Sequence, residues 1–194
     1  MEDLEDGMTI KVSTVSTAKK GEFLSLFYFL YNTFFTKTKL ENSKPSVFLT
    51  HTWVKDELNR ENHSRVATVN ELLKSQGFKT WFDEDRMVEH IYQKMAEGID
   101  DSDIILVFIS KAYMEKLNIT GHDNCKKEFT YAITRKKKML PIVMEPCMRD
   151  PSQWVGNLGV NLAGDLYVDM SETGSESNNI KVLIDQLNLT WAKK

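Results

Sequence analysis

From Lys44 onward, apolar residues alternate between short unbroken runs and longer stretches in which they recur every three or four positions. The runs Ser46-Val-Phe-Leu-Thr50, Phe78-Lys-Thr-Trp-Phe82, Asp103-Ile-Ile-Leu-Val-Phe-Ile-Ser110 and Met139-Leu-Pro-Ile-Val-Met144 read as strands, with Leu166-Tyr-Val168 a weaker fifth. The third is continuous and rich in branched side chains, the mark of a strand covered on both faces. Between them the period lengthens. Val66, Val69, Leu72 and Leu73 share one helical face that Gly77 should end, and Ile91, Met95 and Ile99 mark a second helix. A third starts near Asp123 or Asn124 and turns Phe129, Ala132 and Ile133 inward. A last one uses Ile180, Leu183, Ile184 and Leu187.

The segments between are polar. A loop is expected from Ser110 to Asp123, and Asp150-Pro-Ser-Gln-Trp154 suggests a short helical turn with proline in its first turn. The basic run Arg135-Lys-Lys-Lys138 is most simply a helix C-terminus satisfied by cations. Strands alternating with helices imply a parallel sheet with right-handed crossovers. The expected fold is α/β and flavodoxin-like: three layers, a five-stranded parallel sheet in order 2-1-3-4-5, and helices on both faces.

Residues 1–43 follow a different pattern. An acidic start leads through a Ser/Thr/Lys segment to Phe23-Leu-Ser-Leu-Phe-Tyr-Phe-Leu-Tyr-Asn-Thr-Phe-Phe35, which holds half of the chain's 10 Phe residues. A membrane-spanning helix needs roughly 20 apolar residues, so this run is short for one. The acidic beginning and the absence of a small-residue cleavage pattern argue against a secretory signal. Two readings stay open for 23–35: an extra helix packing its aromatics on protein, or a segment that touches a membrane. The division is thus an N-terminal extension, 1–43, and one domain, 44–194.

Composition narrows the function. A net charge of −3 gives no electrostatic case for nucleic acid. Two cysteines, Cys125 and Cys147, supply no disulfide framework and suit a reducing compartment. In a sheet of this kind the loops leaving the strand C-termini form the working edge. Here they carry His51, Trp53, the acidic Asp83–Asp85 cluster, His122, Cys125, Glu128 and Cys147. No glycine-rich phosphate loop follows a strand; Gly156 and Gly159 form the one close pair, with no helix expected for them to open. A phospho-accepting receiver would need an aspartate where Ser110 ends the central strand, and no Gly-x-Ser-x-Gly elbow is present. His122, Cys125 and Cys147 match no zinc spacing, so no metal is expected. Glu128 remains. Position alone leaves it open between a first-turn helix glutamate favoured by the helix dipole and a functional carboxylate.

From Lys44 to its end the chain resembles a Toll/interleukin-1 receptor (TIR) domain. The resemblance rests on Ser46-Val-Phe-Leu-Thr-His51, Trp81-Phe82-Asp83, Ile99-Asp-Asp-Ser-Asp-Ile-Ile-Leu-Val-Phe-Ile-Ser110 with Tyr113, Asn124-Cys-Lys-Lys-Glu-Phe129 and Met139-Leu-Pro-Ile-Val143. Cys125-x-x-Glu128 is similar to the Cys-x-x-Glu step of plant and NAD-cleaving members. The resemblance implies one of two functions. The first is a signalling enzyme, activated by self-association, that cleaves NAD at the nicotinamide–ribose bond with Glu128 catalytic. The alternative is a non-enzymatic module for homotypic TIR assembly. It further implies a substrate cleft built from Trp53, His51, Asp83 and Ser110, NAD as substrate with no other cofactor, other TIR domains or itself as partners, and a cytoplasmic location. Two departures stand out. The loop Asp83–His90 lacks the glycine that the family usually carries near its tip, and His51-Thr-Trp53 lacks the basic residues that some NAD-cleaving members have there.

Overall fold

The computed structural model describes residues 44–82 and 91–192. The expectations for 1–43 and for the loop Asp83–His90 lie outside the described residues. Five strands form one sheet: β1 (Val47–Thr50), β2 (Thr80–Trp81), β3 (Ile104–Ile109), β4 (Lys138–Val143) and β5 (Val168–Asp169). All pairings are parallel, as the alternation predicts, and the order β2-β1-β3-β4-β5 is the flavodoxin-like one expected. Helices α1 (Asn62–Ser75) and α7 (Ile180–Ala192) cover one face. The other is covered by α2 (Ile91–Asp101), α3 (Lys111–Asn118), α4 (Asn124–Thr134) and α5 (Gly156–Leu162); the short α6 (Ser175–Asn178) precedes α7.

The period of two along β3 builds both cores. Ile104, Leu106 and Phe108 meet Val66, Val69 and Leu73 of α1 and Leu183 and Leu187 of α7. Ile105, Val107 and Ile109 meet Ile99, Tyr113, Leu117, Phe129 and Ala132. Every residue of β3 is buried, which is why the strand reads as unbroken rather than alternating. The same alternation in β1 sends Val47 and Leu49 toward α1, and Phe48 and Thr50 to the opposite face, Phe48 against Gly98 of α2 and Thr50 against Glu128 of α4.

Helix ends follow local chemistry. Gly77, at φ +80°, lets the chain leave α1, as its place after the periodic face predicts. Asp123 caps α4, its carboxylate accepting from the Cys125 amide at 2.8 Å. At the far end of α4, Lys136 takes the left-handed conformation (φ 53°), and the amides of Lys136 and Lys137 turn back onto the carbonyls of Ile133 and Ala132.

Four expectations are corrected. The segment after Ser110 is helical, not a loop: Ser110 caps α3, and Tyr113 and Leu117, four apart, anchor it. Gly156 does open a helix, α5, whose Leu158 and Leu162 are buried. Gly159 sits where a Cβ would stand 2.0 Å from the Trp154 carbonyl oxygen, so that glycine serves close packing. The basic run serves other elements rather than its own helix end. Arg135 pairs with Asp100, Lys137 reaches the Asp100 and Ser102 carbonyls at 2.6 and 3.0 Å, and Lys138 reaches the Thr190 carbonyl at 2.6 Å. Fourth, Asp123 as cap makes Glu128 the fifth residue of α4, just past the first turn. A helix dipole acts mainly within that turn, so it has less hold on Glu128 than the sequence suggests.

Candidate functional site

Three elements converge where β1 ends. Thr50, the last residue of the strand, is fully buried, with its hydroxyl on the α4 side. It donates to one carboxylate oxygen of Glu128 at 2.6 Å, and its Oγ1 lies 3.0 Å from the phenol of Tyr113, which α3 sends back beneath the edge. Tyr113 is fully buried. Burial pushes its phenol well above the usual range, the neighbouring Cys125 and Glu128 add to this, and the Thr50 hydrogen bond only partly opposes it.

Cys125 lies one turn before Glu128 on α4 and fixes that helix against the β1 exit: its thiol donates to the His51 carbonyl at 3.3 Å. Burial first, and then the charges of Glu128 and Asp123, raise the Cys125 thiol far above neutrality. It packs as a small apolar side chain and is not poised as a nucleophile. Glu128 itself stays partly exposed.

Beyond Thr50 the chain builds an aromatic stack. The ring centroids of Trp53 and His63 are 3.8 Å apart and inclined by 22°, and His51 and Phe82 stack on the same group at 5.1 to 5.2 Å. The ring nitrogens His51 Nε2 and His63 Nδ1 approach to 2.8 Å. His51 is buried whereas Trp53 is partly exposed, so of the two Trp53 offers the more accessible surface.

The sequence model of the TIR domain matches residues 47–184. The chain belongs to the TIR domain family. Three solved structures share the fold of this TIR domain. The TIR domain of the Toll-related receptor TRR-2 from Hydra magnipapillata aligns at 15% identity, covering 75% of this chain and 99% of that one, with a TM-score of 0.50. The TIR domains of the activated Roq1 resistosome, which directly recognises the pathogen effector XopQ, align at 18% identity over 74% and 99%, also at 0.50. A prokaryotic SEFIR domain aligns at 16% over 74% and 98%, again at 0.50. At such identities the likeness is one of fold. A search of curated proteins returns no match.

The β4–β5 half of this TIR domain's working edge is closed by its own side chains. Asp56, its carboxylate fully buried, accepts from the amides of Leu58 and Arg60 at 3.0 and 2.8 Å, from Arg60 Nε at 2.6 Å and from Arg65 Nη1 at 3.3 Å. The guanidinium of Arg60 donates to the carbonyls of Ser171 and Met144 at 2.6 and 3.0 Å. That of Arg65 donates to Met144 at 2.8 Å, to Met170 and to the Glu176 carboxylate. Both arginines thus tie down the main chain just past β4 and β5. Nearby, buried Glu145 accepts from the amides of Glu57 and Lys111 at 2.9 and 2.7 Å, holding the first turn of α3 to the β1 exit loop.

The remaining candidates separate. Ser110 is buried, and its hydroxyl accepts from the Tyr113 amide at 3.1 Å, so capping α3 accounts for it. His122 and Cys125 border one small hollow with Lys116, Asp123 and Asn124, while Cys147 lies 3.5 Å from Glu145. Among the described residues no group of three or more His, Cys, Asp or Glu could hold a metal. Among them, too, no helix is long and apolar enough to cross a membrane. Asp83 lies outside the described residues. Sequence reasoning missed Thr50, Tyr113, Arg60 and Arg65. The alternation of β1 would have pointed Thr50 at α4, and the spacing of Tyr113 and Leu117 would have pointed Tyr113 at the sheet.

Proposed function

We propose that this TIR-domain signalling module cleaves NAD at the nicotinamide–ribose bond, with Glu128 as the catalytic carboxylate. The observation that carries the reading is the place of Glu128. It is a partly exposed carboxylate held by Thr50 at the β1 end of the sheet, where the chain leaving the same strand carries the partly exposed Trp53, and it takes no part in the arginine cluster that closes the other half. One carboxylate suits the chemistry. Nicotinamide departs from a cationic pyridinium as a neutral molecule, so its departure needs no proton donor. Breaking the C–N bond leaves both electrons on the nicotinamide nitrogen and positive charge on the ribose, as in the oxocarbenium-like states of glycoside hydrolysis. An anionic oxygen beside the ribose stabilises that charge as it forms. Trp53 is a surface on which a planar ring can stack, and His51 backs it through the aromatic group.

Self-association enters the reading through the family and through the resistosome whose TIR domains share this fold. Copies brought together order the surfaces around the β1 edge and so activate turnover. The test is to cluster purified protein on a multivalent scaffold, supply NAD and follow nicotinamide release. Wild-type protein releases nicotinamide, and Glu128→Ala lowers the rate by about a hundredfold or more, as loss of one transition-state electrostatic partner does elsewhere. No release from the clustered wild type leaves the TIR domain as an assembly module without turnover, and equal release by wild type and the Glu128→Ala variant removes Glu128 from the catalytic role.

A further inference from the structure

We propose that Thr50 and Tyr113 are positioning residues for Glu128: a relay from the buried phenol through the strand-terminal hydroxyl to one carboxylate oxygen fixes where that carboxylate points. The inference deepens the NAD-cleaving reading and rests on it for its consequence in turnover, though not for the relay itself.

Counting protons sets the direction of the relay. An ionised carboxylate only accepts hydrogen bonds, and a threonine hydroxyl has a single proton to give. At 2.6 Å the Thr50–Glu128 contact lies in the range of hydroxyl-to-carboxylate bonds, so the Thr50 proton points at Glu128. The 3.0 Å contact between Thr50 and Tyr113 must then be donated by the phenol. Tyr113 is suited to that task, because its burial and the nearby Glu128 charge both keep the phenol protonated. The Tyr113–Thr50 link lies where neither residue is exposed, and a hydroxyl that accepts one hydrogen bond donates the next more strongly.

The anchors are rigid. Thr50 is held in the β1–β3 ladder opposite Val107, and Tyr113 is locked by its own amide on Ser110 and by a site that leaves it no exposure. Glu128 sits on a helix tied to the β1 exit through Cys125. The carboxylate is thereby pinned from beneath, on its strand side. Pre-setting a reacting group in this way removes the cost of ordering it during the reaction.

The test uses the full chain with Thr50→Val, Thr50→Ser and Tyr113→Phe, each checked for folding by urea denaturation. Two properties are read: kcat and KM for clustered NAD turnover across pH, and the titration of the Glu128 carboxyl by 13C NMR, assigned with Glu128→Gln. Thr50→Val should lower kcat about 10- to 100-fold, the range for losing a hydrogen bond to a charged group, with KM little changed. The acidic limb of its pH profile should move to higher pH, and the Glu128 midpoint should rise with it. Thr50→Ser should restore most of both. Tyr113→Phe, which removes one oxygen atom, should change both in the same direction by a smaller factor and covers the case in which Thr50→Val does not fold.

A Glu128 midpoint that stays put in Thr50→Val and Tyr113→Phe overturns the relay, as does equal impairment by the Val and Ser variants. If the midpoint moves while wild-type protein releases no nicotinamide, the relay stands and the NAD-cleaving reading falls. If turnover is present and depends on Glu128 but ignores Thr50, the relay alone falls.

Discussion

Replacing Arg65 by methionine tests whether the β4–β5 end of the sheet is closed by charge as the geometry says. The substitution keeps much of the side chain's length and removes every donor. The Glu176 carboxylate, whose side chain is 8% exposed, loses its guanidinium partner, and the Met170 carbonyl loses its side-chain donor. Stranding one member of a buried ion pair costs about 3–5 kcal/mol. An orphaned buried carbonyl adds about 1–3 kcal/mol, although the two losses overlap. Asp56 and the Met144 carbonyl keep Arg60, which limits the damage. A net loss of about 4–6 kcal/mol is therefore expected, a large share of the roughly 5–15 kcal/mol by which domains are stable. For a domain of this size each kcal/mol moves the midpoint by about 2–4 °C, so the fall is about 8–24 °C.

Urea denaturation followed by circular dichroism at neutral pH reads the change directly. The decisive comparison is the double variant Arg65→Met/Glu176→Gln, which removes the stranded charge and should recover about half of the loss or more. Arg65→Lys, which keeps the charge and loses the fork, should fall between wild type and Arg65→Met. A loss below about 1 kcal/mol in Arg65→Met, or a double variant no more stable than the single, would refute the idea that this cluster is a buried, mutually satisfied network.

Three other outcomes follow from particular side chains. Glu145→Ala leaves the amides of Glu57 and Lys111 without their acceptor and should lower the unfolding free energy by about 2–4 kcal/mol, measured in the same urea assay. Alkylation of native protein with iodoacetamide, followed by mass spectrometry, should modify Cys147 and spare buried Cys125. Partial burial, together with the charge of Glu145 and its hydrogen bond to the thiol, pushes Cys147 up to about 11, so its rate should climb with pH until that value is reached. Asp123 is held below its ordinary 3.8: burial alone would raise it, but the Lys116 ammonium and the Cys125 amide outweigh that. A depressed carboxyl contributes stability that is fully present above 3.8 and is lost as pH falls through the folded value. Asp123→Asn should therefore flatten the decline of stability below about pH 4, read from urea midpoints at stepped pH.

The sequence carried the sheet better than the edge. β3 announces itself because six buried residues in a row leave no other reading, and the parallel order follows from helices between strands. Helix α3 was hidden because only Tyr113 and Leu117 are buried in it, a single turn of spacing that is too short to set a helical period. Helix α5 was hidden by its two glycines, which weaken helices in general but here permit the approach to Trp154. Glu128 was legible as a carboxylate near the working edge, with its family resemblance giving it a role. Its partner Thr50 looked like one more strand residue. Arg60 and Arg65 gave no signal, because nothing in a linear pattern shows that guanidinium groups will meet three carbonyls just past strand ends, more than seventy residues away.

The two outermost strands, β2 and β5, are each only two residues long. A sheet edge of that length presents very little unpaired backbone on which another chain could add a strand. Under the activation by clustering proposed above, this separates two kinds of association that high local concentration would otherwise mix. Strand addition, which is templated by main chain, nearly indifferent to sequence and hard to reverse, has little to start from. Contacts between copies of the described domain must instead run through side chains on helices and loops, where a single substitution can tune or abolish them and where disassembly stays within reach.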